Sequence, residues 1–274
     1  VARRGAGELE SPRPDSATAE WRKAVQRARD GNGAPPPAAE LEPWIDEGVF
    51  EEDEAGRAPG RGEHRVDVAL SAQDRRKLAA TGKRGATQEQ RIKDAAKAFR
   101  AERFDDARRI LKDVSELAPQ VATVRELYGL TLYRLRRWRL AAAELEAFRD
   151  LTGSTEQHPV LADCYRALKQ HARVAELWDE LRQASPSAEL VTEGRIVMAG
   201  SLADQGKLKE ALAVLGQRNW RLPRQPKDHH LRRAYALADL LERAGETTKA
   251  RDLFARIQRA DPRFADVGRR VKAL

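Results

Sequence analysis

From about residue 86 to residue 274, apolar positions recur with helical spacing, interrupted only by short Gly, Pro and polar segments. Within this stretch small residues fall on a fixed ruler. Ala95 is followed by Ala107 after 12 residues and by Pro119 after 12 more. The same ruler passes through Gly129, Ala141 and Gly153, through Ala162, Val174 and Pro186, through Ala199, Ala211 and Pro223, and through Ala238, Ala250 and Pro262. Successive copies are offset by 34, 33, 37 and 39 residues, so length varies between copies and never within one. A stack of helical hairpins has this property, because only the loops joining hairpins absorb insertions without breaking the core.

The marks have a physical reading. A small residue in each helix lets the two backbones of a hairpin approach closely, and proline ends the unit because it cannot continue a helix. Gly206 and Gly245, in "DQGKL" and "RAGET", suit the positive φ of a helix C-terminal cap. Just past the turns, Phe104, Trp138 and Leu208 supply an apolar knob, with His171 and Thr247 in the equivalent places. Further along each second helix, Leu111, Leu145, Trp178, Leu215 and Phe254 face the core.

This pattern resembles the tetratricopeptide repeat (TPR), a helix-turn-helix unit of about 34 residues with the same order of small, small and proline marks. The resemblance spans roughly residues 88–262. It departs at Gly153, where proline is expected, and in the third copy, which carries Val174 and His171 at two of its marks. It implies an all-α, right-handed superhelical solenoid with repeats at about 88–121, 122–154, 155–191, 192–230 and 231–264, and a capping helix over 264–274. It also implies that the first helix of each hairpin lines a concave surface that holds a peptide. On that surface it places Lys93, Phe99, Arg100, Tyr133, Arg134, Arg166, Tyr235, Asp239 and Arg243. Such a face suits an extended or helical segment bearing acidic groups. Relatives that clamp a terminal carboxylate do so with paired asparagines and lysines. This chain has only Asn32 and Asn219, neither on a groove helix, so that mode is excluded.

Composition agrees with an all-helical fold: 34% of residues are charged and 5% aromatic, and the chain is rich in Ala, Leu, Arg and Glu. The net charge of +8 is unevenly placed. Residues 1–85 carry 15 Lys/Arg against 16 Asp/Glu, leaving 36 against 27 for the repeats. Those first 85 residues hold most of the Gly/Pro punctuation ("GNGAPPPAAE", "GRAPGRGEHR") and read as a disordered tail. Two short segments stand out within it, "TAEWRKAVQRARD" and the acidic "LEPWIDEGVFEEDEA". They read as docking motifs for a partner, or as elements that fold back on the same chain.

The single cysteine, Cys164, excludes an intramolecular disulfide and a cysteine-clustered zinc site, and is expected to pack in the core. The stretch "VARRGAGELESPRPDS" does not read as a secretory signal and no run approaches about 18 apolar residues, so a soluble, cytoplasmic protein is expected. The Arg- and Ala-rich composition suggests a bacterial source.

Two clusters pair arginine with an aromatic ring. "YRLRRWRLAAAEL" sets Arg136, Arg137 and Arg139 around Trp138, and "RNWRLPRQPKDHHLRR" sets Arg218, Arg221, Arg224 and Lys227 near Trp220. Phosphate contact with base stacking uses such pairs. Alternatively, Trp138 is the turn knob and its arginines a solvated face, whereas the second cluster lies in a lengthened loop with no evident core role. No nucleophile elbow, phosphate-cradling glycine loop or His-Glu metal helix occurs, and adjacent His229 and His230 cannot aim at one ion. The expectation is a non-enzymatic scaffold or adaptor that binds a partner segment, with no cofactor, metal, membrane or small-molecule substrate. The alternative is a ribosome- or RNA-associated protein that uses its basic face.

Overall fold

The computed structural model describes residues 70–80, 83–216 and 220–274. Both apolar segments of the tail lie outside the described residues. Among those described there are twelve helices and no strand. They are α1 (Ala72–Ala79), α2 (Lys83–Arg100), α3 (Phe104–Leu117), α4 (Ala122–Arg134), α5 (Trp138–Thr152), α6 (His158–Ala167), α7 (His171–Ala184), α8 (Ala188–Asp204), α9 (Leu208–Leu215), α10 (Asp228–Arg243), α11 (Thr247–Ala260) and α12 (Val267–Ala273). From α2 to α11 they pack as five successive hairpins, each leaning on the next. Three first helices begin earlier than the spacing suggests, at Lys83, Ala188 and Asp228. For α8 the reason is local: Ser187 Oγ accepts a hydrogen bond from the Leu190 amide at 3.1 Å and fixes the helix start.

The ruler marks lie where hairpin helices meet. Ala95, Ala107, Ala141, Val174, Ala199, Ala211, Ala238 and Ala250 are wholly inaccessible, and Ala162 is nearly so. At Gly129 the approach is closest, since a Cβ there would come within 2.8 Å of the Leu145 side chain. Leu111, Leu145, Leu215 and Phe254 fill the space one helical turn beyond, at 0–1% exposure. Gly153 replaces the expected proline by a different stop: it takes φ +66° as the left-handed cap of α5.

All five hairpin turns close in the same way. The amides of Glu102, Arg136, Lys169, Gly206 and Gly245 reach back to the carbonyls three residues earlier, and the next amide in each turn reaches back five. This double closure is the Schellman motif, which needs one residue in the left-handed region. Glycine fills that position at 206 and 245, whereas Glu102, Arg136 and Lys169 hold φ of 56–58° with a side chain attached. Lys169→Gly is therefore expected to stabilise the fold by about 0.5–1 kcal/mol, and Gly206→Ala to destabilise it by about 1 kcal/mol. Urea unfolding of the two single variants measures both signs.

The ordered unit begins upstream of residue 86, the boundary suggested by composition. Segment 72–79, assigned there to the tail, is helical and packed. Ser71 caps it by accepting from the Asp74 amide at 3.0 Å. Asp74, 3% exposed, in turn accepts from the amides of Ala122 and Thr123 at 3.1 and 3.2 Å and from the Thr123 hydroxyl at 2.6 Å. One carboxylate thus satisfies the first amides of α4 from 48 residues away and suits the positive end of its dipole. Leu70 and Leu78 then join the main core.

The lengthened loop before α10 has a structural role that the sequence reading missed. Helix α9 stops at Leu215, and its last carbonyls are capped by arginines from two other helices. Arg195 donates to the Val214 oxygen at 3.1 Å, and Arg233 donates twice to that of Leu215, at 2.9 and 2.6 Å. The Arg233 guanidinium lies 4.5 Å from the centre of the Trp220 ring, and Trp220 and Leu222 pack against the core of the fifth hairpin. Burial, followed by the charge of Arg195, lowers the Arg233 pKa to about 10.

Candidate interaction surface

First helices of neighbouring hairpins approach one another more closely than second helices do. The stack therefore curves with α2, α4, α6, α8 and α10 on its inner side. Charged groups on that side bond from hairpin to hairpin. Tyr133 of α4 donates to Asp163 of α6 at 2.6 Å. Asp163 faces Arg166 at 3.6 Å, and Arg166 forks onto Asp204 of α8 with bonds of 2.6 and 3.2 Å. Room for the Arg166 fork comes from Gly200, where a Cβ would lie 2.7 Å from the guanidinium carbon. Burial pulls the Arg166 pKa down, but the hydrogen bond and charge of Asp204 outweigh it and hold it above the ordinary value.

The carboxyl end of the stack repeats this device. Tyr235 of α10 donates to Asp266 at 2.6 Å, and Arg270 of α12 bonds Asp239 and faces Glu242 at 3.1 Å. Burial opposes the charge of Asp266, but hydrogen bonds from Tyr235 and Arg269 lower its pKa overall. Arg232 adds a further cross-hairpin pair with Glu193 at 2.6 Å.

Each expected groove residue can now be placed. Lys93, Arg100 and Arg243 are exposed, Lys93 beside Glu89 at 2.8 Å. Arg134 lies over the Phe104 ring, 4.3 Å from its centre, and 3.6 Å from Glu102. Tyr133, Arg166 and Asp239 take part in the cross-hairpin bonds just described. Two expectations need correction. Phe99 is 8% exposed, edge-on to Phe104, and belongs to the core. Tyr235 is 6% exposed and wedged between Phe254 and Phe264, so it holds the end of the stack instead of offering a ring to a partner. Spacing also projects Asp163 and Asp204 onto this face, but it does not show that they join Tyr133 and Arg166 in one bonded row, nor that Gly200 makes room for it. Asp163 and Asp239 each follow the first small mark of their repeats by one residue, and Gly200 holds the same place in the fourth.

The two arginine clusters are not brought together. Arg136, Arg137 and Arg139 are exposed at the turn between α4 and α5, while Trp138 packs on the core edge-on to Tyr133. Arg221, Arg224 and Lys227 are exposed in the α9–α10 connection, at the opposite ends of the hairpins. Arg218 lies outside the described residues. Cys164 is fully buried. His158 is buried against Glu180 at 3.0 Å, its pKa lowered first by desolvation. Among the described residues no three His, Cys, Asp or Glu side chains are grouped to hold a metal ion, and no helix is long and apolar enough to cross a membrane.

No family model matches the sequence, and no curated protein matches it. Solved structures do. A crystal structure of a thermophilic TPR protein from Thermus thermophilus aligns over 68% of this chain and 97% of its own, with 15% identity and a TM-score of 0.51. The TPR domain of P58(IPK) aligns over 74% of this chain and 68% of its own, with 14% identity and a TM-score of 0.33. With the five hairpins described above, the first of these likenesses establishes that the chain has a TPR-like helical-repeat fold.

Proposed function

We propose that this TPR-like chain is a non-enzymatic scaffold that holds a segment of a partner protein along the inner face of its first helices. The observation that supports this most is the bonded row from Tyr133 through Asp163 and Arg166 to Asp204. A row of this kind fixes the surface before a partner arrives, so less side-chain freedom is lost on binding. The partner segment is acidic. Arg100 and Arg243 are exposed there, and the Arg134–Glu102 contact at 3.6 Å involves a glutamate that is 76% exposed, so a partner carboxylate can replace it.

A photoreactive residue placed at position 93 or 100, compared with one at position 251 on the exposed side of α11, tests the proposal in living cells. Discrete protein adducts from the inner positions alone are the expected result. Equal adducts from both faces, or none from the inner one, would overturn it.

A further inference from the structure

We infer that the row of hairpin turns is a second binding surface, distinct from the inner face, and that its occupant is a single strand of RNA held by its phosphates. Six exposed cations occupy the three central turns: Arg136, Arg137 and Arg139, then Lys169, then Lys207 and Lys209. None has an acidic partner among the described residues, and Glu210 is the sole acid within turn segments 135–140, 168–173 and 205–210. Elsewhere on the stack cations pair freely, as Arg149 does with Glu180 and Arg232 with Glu193, and among the described residues of the turn segments Arg173 alone is paired, with Glu146 and Glu176. Among the described residues, the three central turns therefore carry exposed positive charge that no acidic side chain compensates, whereas the two outer turns hold the pairs Arg103–Asp106 and Lys249–Glu246.

These cations recur at equivalent places. Because all five turns share one backbone closure, Arg136 and Lys169 fill the same left-handed position, Arg137 and Lys207 the next, and Arg139 and Lys209 the second position of the following helix. Each placement opposes local preference. A left-handed residue favours glycine, a helix N-cap favours Ser, Thr, Asp or Asn, and a helix's first turn favours acids. Three kinds of unfavourable choice converge on one chemical result, a repeating line of positive charge along one edge.

The chemistry of that edge selects the occupant. Among the described residues, the large apolar side chains that are exposed, Leu117 and Leu151, lie at the opposite ends of the hairpins, away from these cations. Phosphate recognition needs no pocket, only cations at intervals along a chain. A single strand can follow a curved edge, whereas a duplex is stiff over about 150 base pairs.

The test uses the full chain and a fluorescein-labelled single-stranded uridine oligomer, with fluorescence anisotropy read across a salt series. Three proteins are compared: the wild type, the triple variant R136Q/R137Q/R139Q, and an off-edge control of equal charge, R251Q/R256Q/R259Q. Matching circular dichroism melts establish that all three are folded. The edge variant is expected to bind at least about tenfold more weakly, and its log K against log salt slope to fall by about 2, while the control keeps wild-type behaviour. Wild type that fails to bind at about 50 mM salt, or equal weakening in both variants, would overturn the inference. So would poly-glutamate that binds the edge more tightly than the oligomer does.

Discussion

Replacing Arg125 with alanine is expected to destabilise the fold by about 3–5 kcal/mol, more than removal of any ion pair on its surface. The Arg125 and Glu144 side chains are 4% and 1% exposed, and they meet at 2.8 Å between α4 and α5. Arg125 also donates to the Pro119 carbonyl at 2.9 Å, so its fork ties the α3–α4 connection to the second hairpin. Burial pushes the Glu144 pKa up, and the charge and hydrogen bond of Arg125 only partly offset that. Without Arg125, Glu144 must either stay charged and unpaired or take up a proton.

The pH dependence of the variant follows from that choice. A carboxyl whose folded pKa lies above its unfolded value is favourable to folding only while it stays protonated. That contribution is complete below the unfolded value and is lost as pH rises through the folded one. Arg125→Ala should therefore be least harmful in mild acid and most harmful at neutral pH. The double variant R125M/E144L removes both charges together and should lie within about 1 kcal/mol of the wild type. Urea unfolding at pH 5 and pH 7 checks the set. A single variant that loses less than about 1 kcal/mol at neutral pH would mean that water or a shifted backbone already satisfies Glu144.

That pair was not legible in the sequence, and the reason is instructive. Helical spacing puts Arg125 four residues before the Gly129 mark and Glu144 three after the Ala141 mark. It does not say that two charged residues 19 positions apart will meet inside a core. The ruler itself was legible because close approach of two backbones allows few side chains, and the same few recur in every copy. Side-chain direction was harder to read. Phe99 and Tyr133 both stand four residues after a first mark, yet Phe99 turns into the core beside Phe104 and Tyr133 reaches Asp163 on the next hairpin. The difference is set by the neighbouring repeat, which spacing within one repeat does not describe.

Helix α1 was missed for a similar reason. Its anchor, Asp74, acts on amides in α4, and its surroundings are polar. A local signal did exist, since Ser71 followed three residues later by Asp74 resembles the start of a helix. The Gly/Pro content on either side outweighed it in a reading based on composition. In the α9–α10 connection the sequence left the role of the arginine–tryptophan pair open; Arg233 caps the Leu215 carbonyl at the end of a short helix and stacks on Trp220.

Phe254→Ala should also remove about 3–5 kcal/mol, but the loss should stay at one end of the molecule. The ring is wholly inaccessible, edge-on to Tyr235 with centroids 5.4 Å apart, and the Arg270 guanidinium sits 5.0 Å from its centre. Truncation leaves a cavity beneath α12, the helix that Arg270 and Asp266 fasten to α10. In a stack where each repeat touches only its neighbours, such a loss first opens the repeat that holds it. Hydrogen exchange should therefore show faster exchange of amides in α10, α11 and α12, while α4 to α7 keep wild-type protection. Leu145→Ala is the contrasting variant. It sits in the second hairpin against Gly129, should destabilise by about 2–5 kcal/mol, and should raise exchange in the hairpins on both sides. Uniform loss of protection along the whole stack in Phe254→Ala would mean that the repeats fold as a single unit. The cross-hairpin bonds from Tyr133 to Asp204 would then carry more coupling between repeats than nearest-neighbour packing alone.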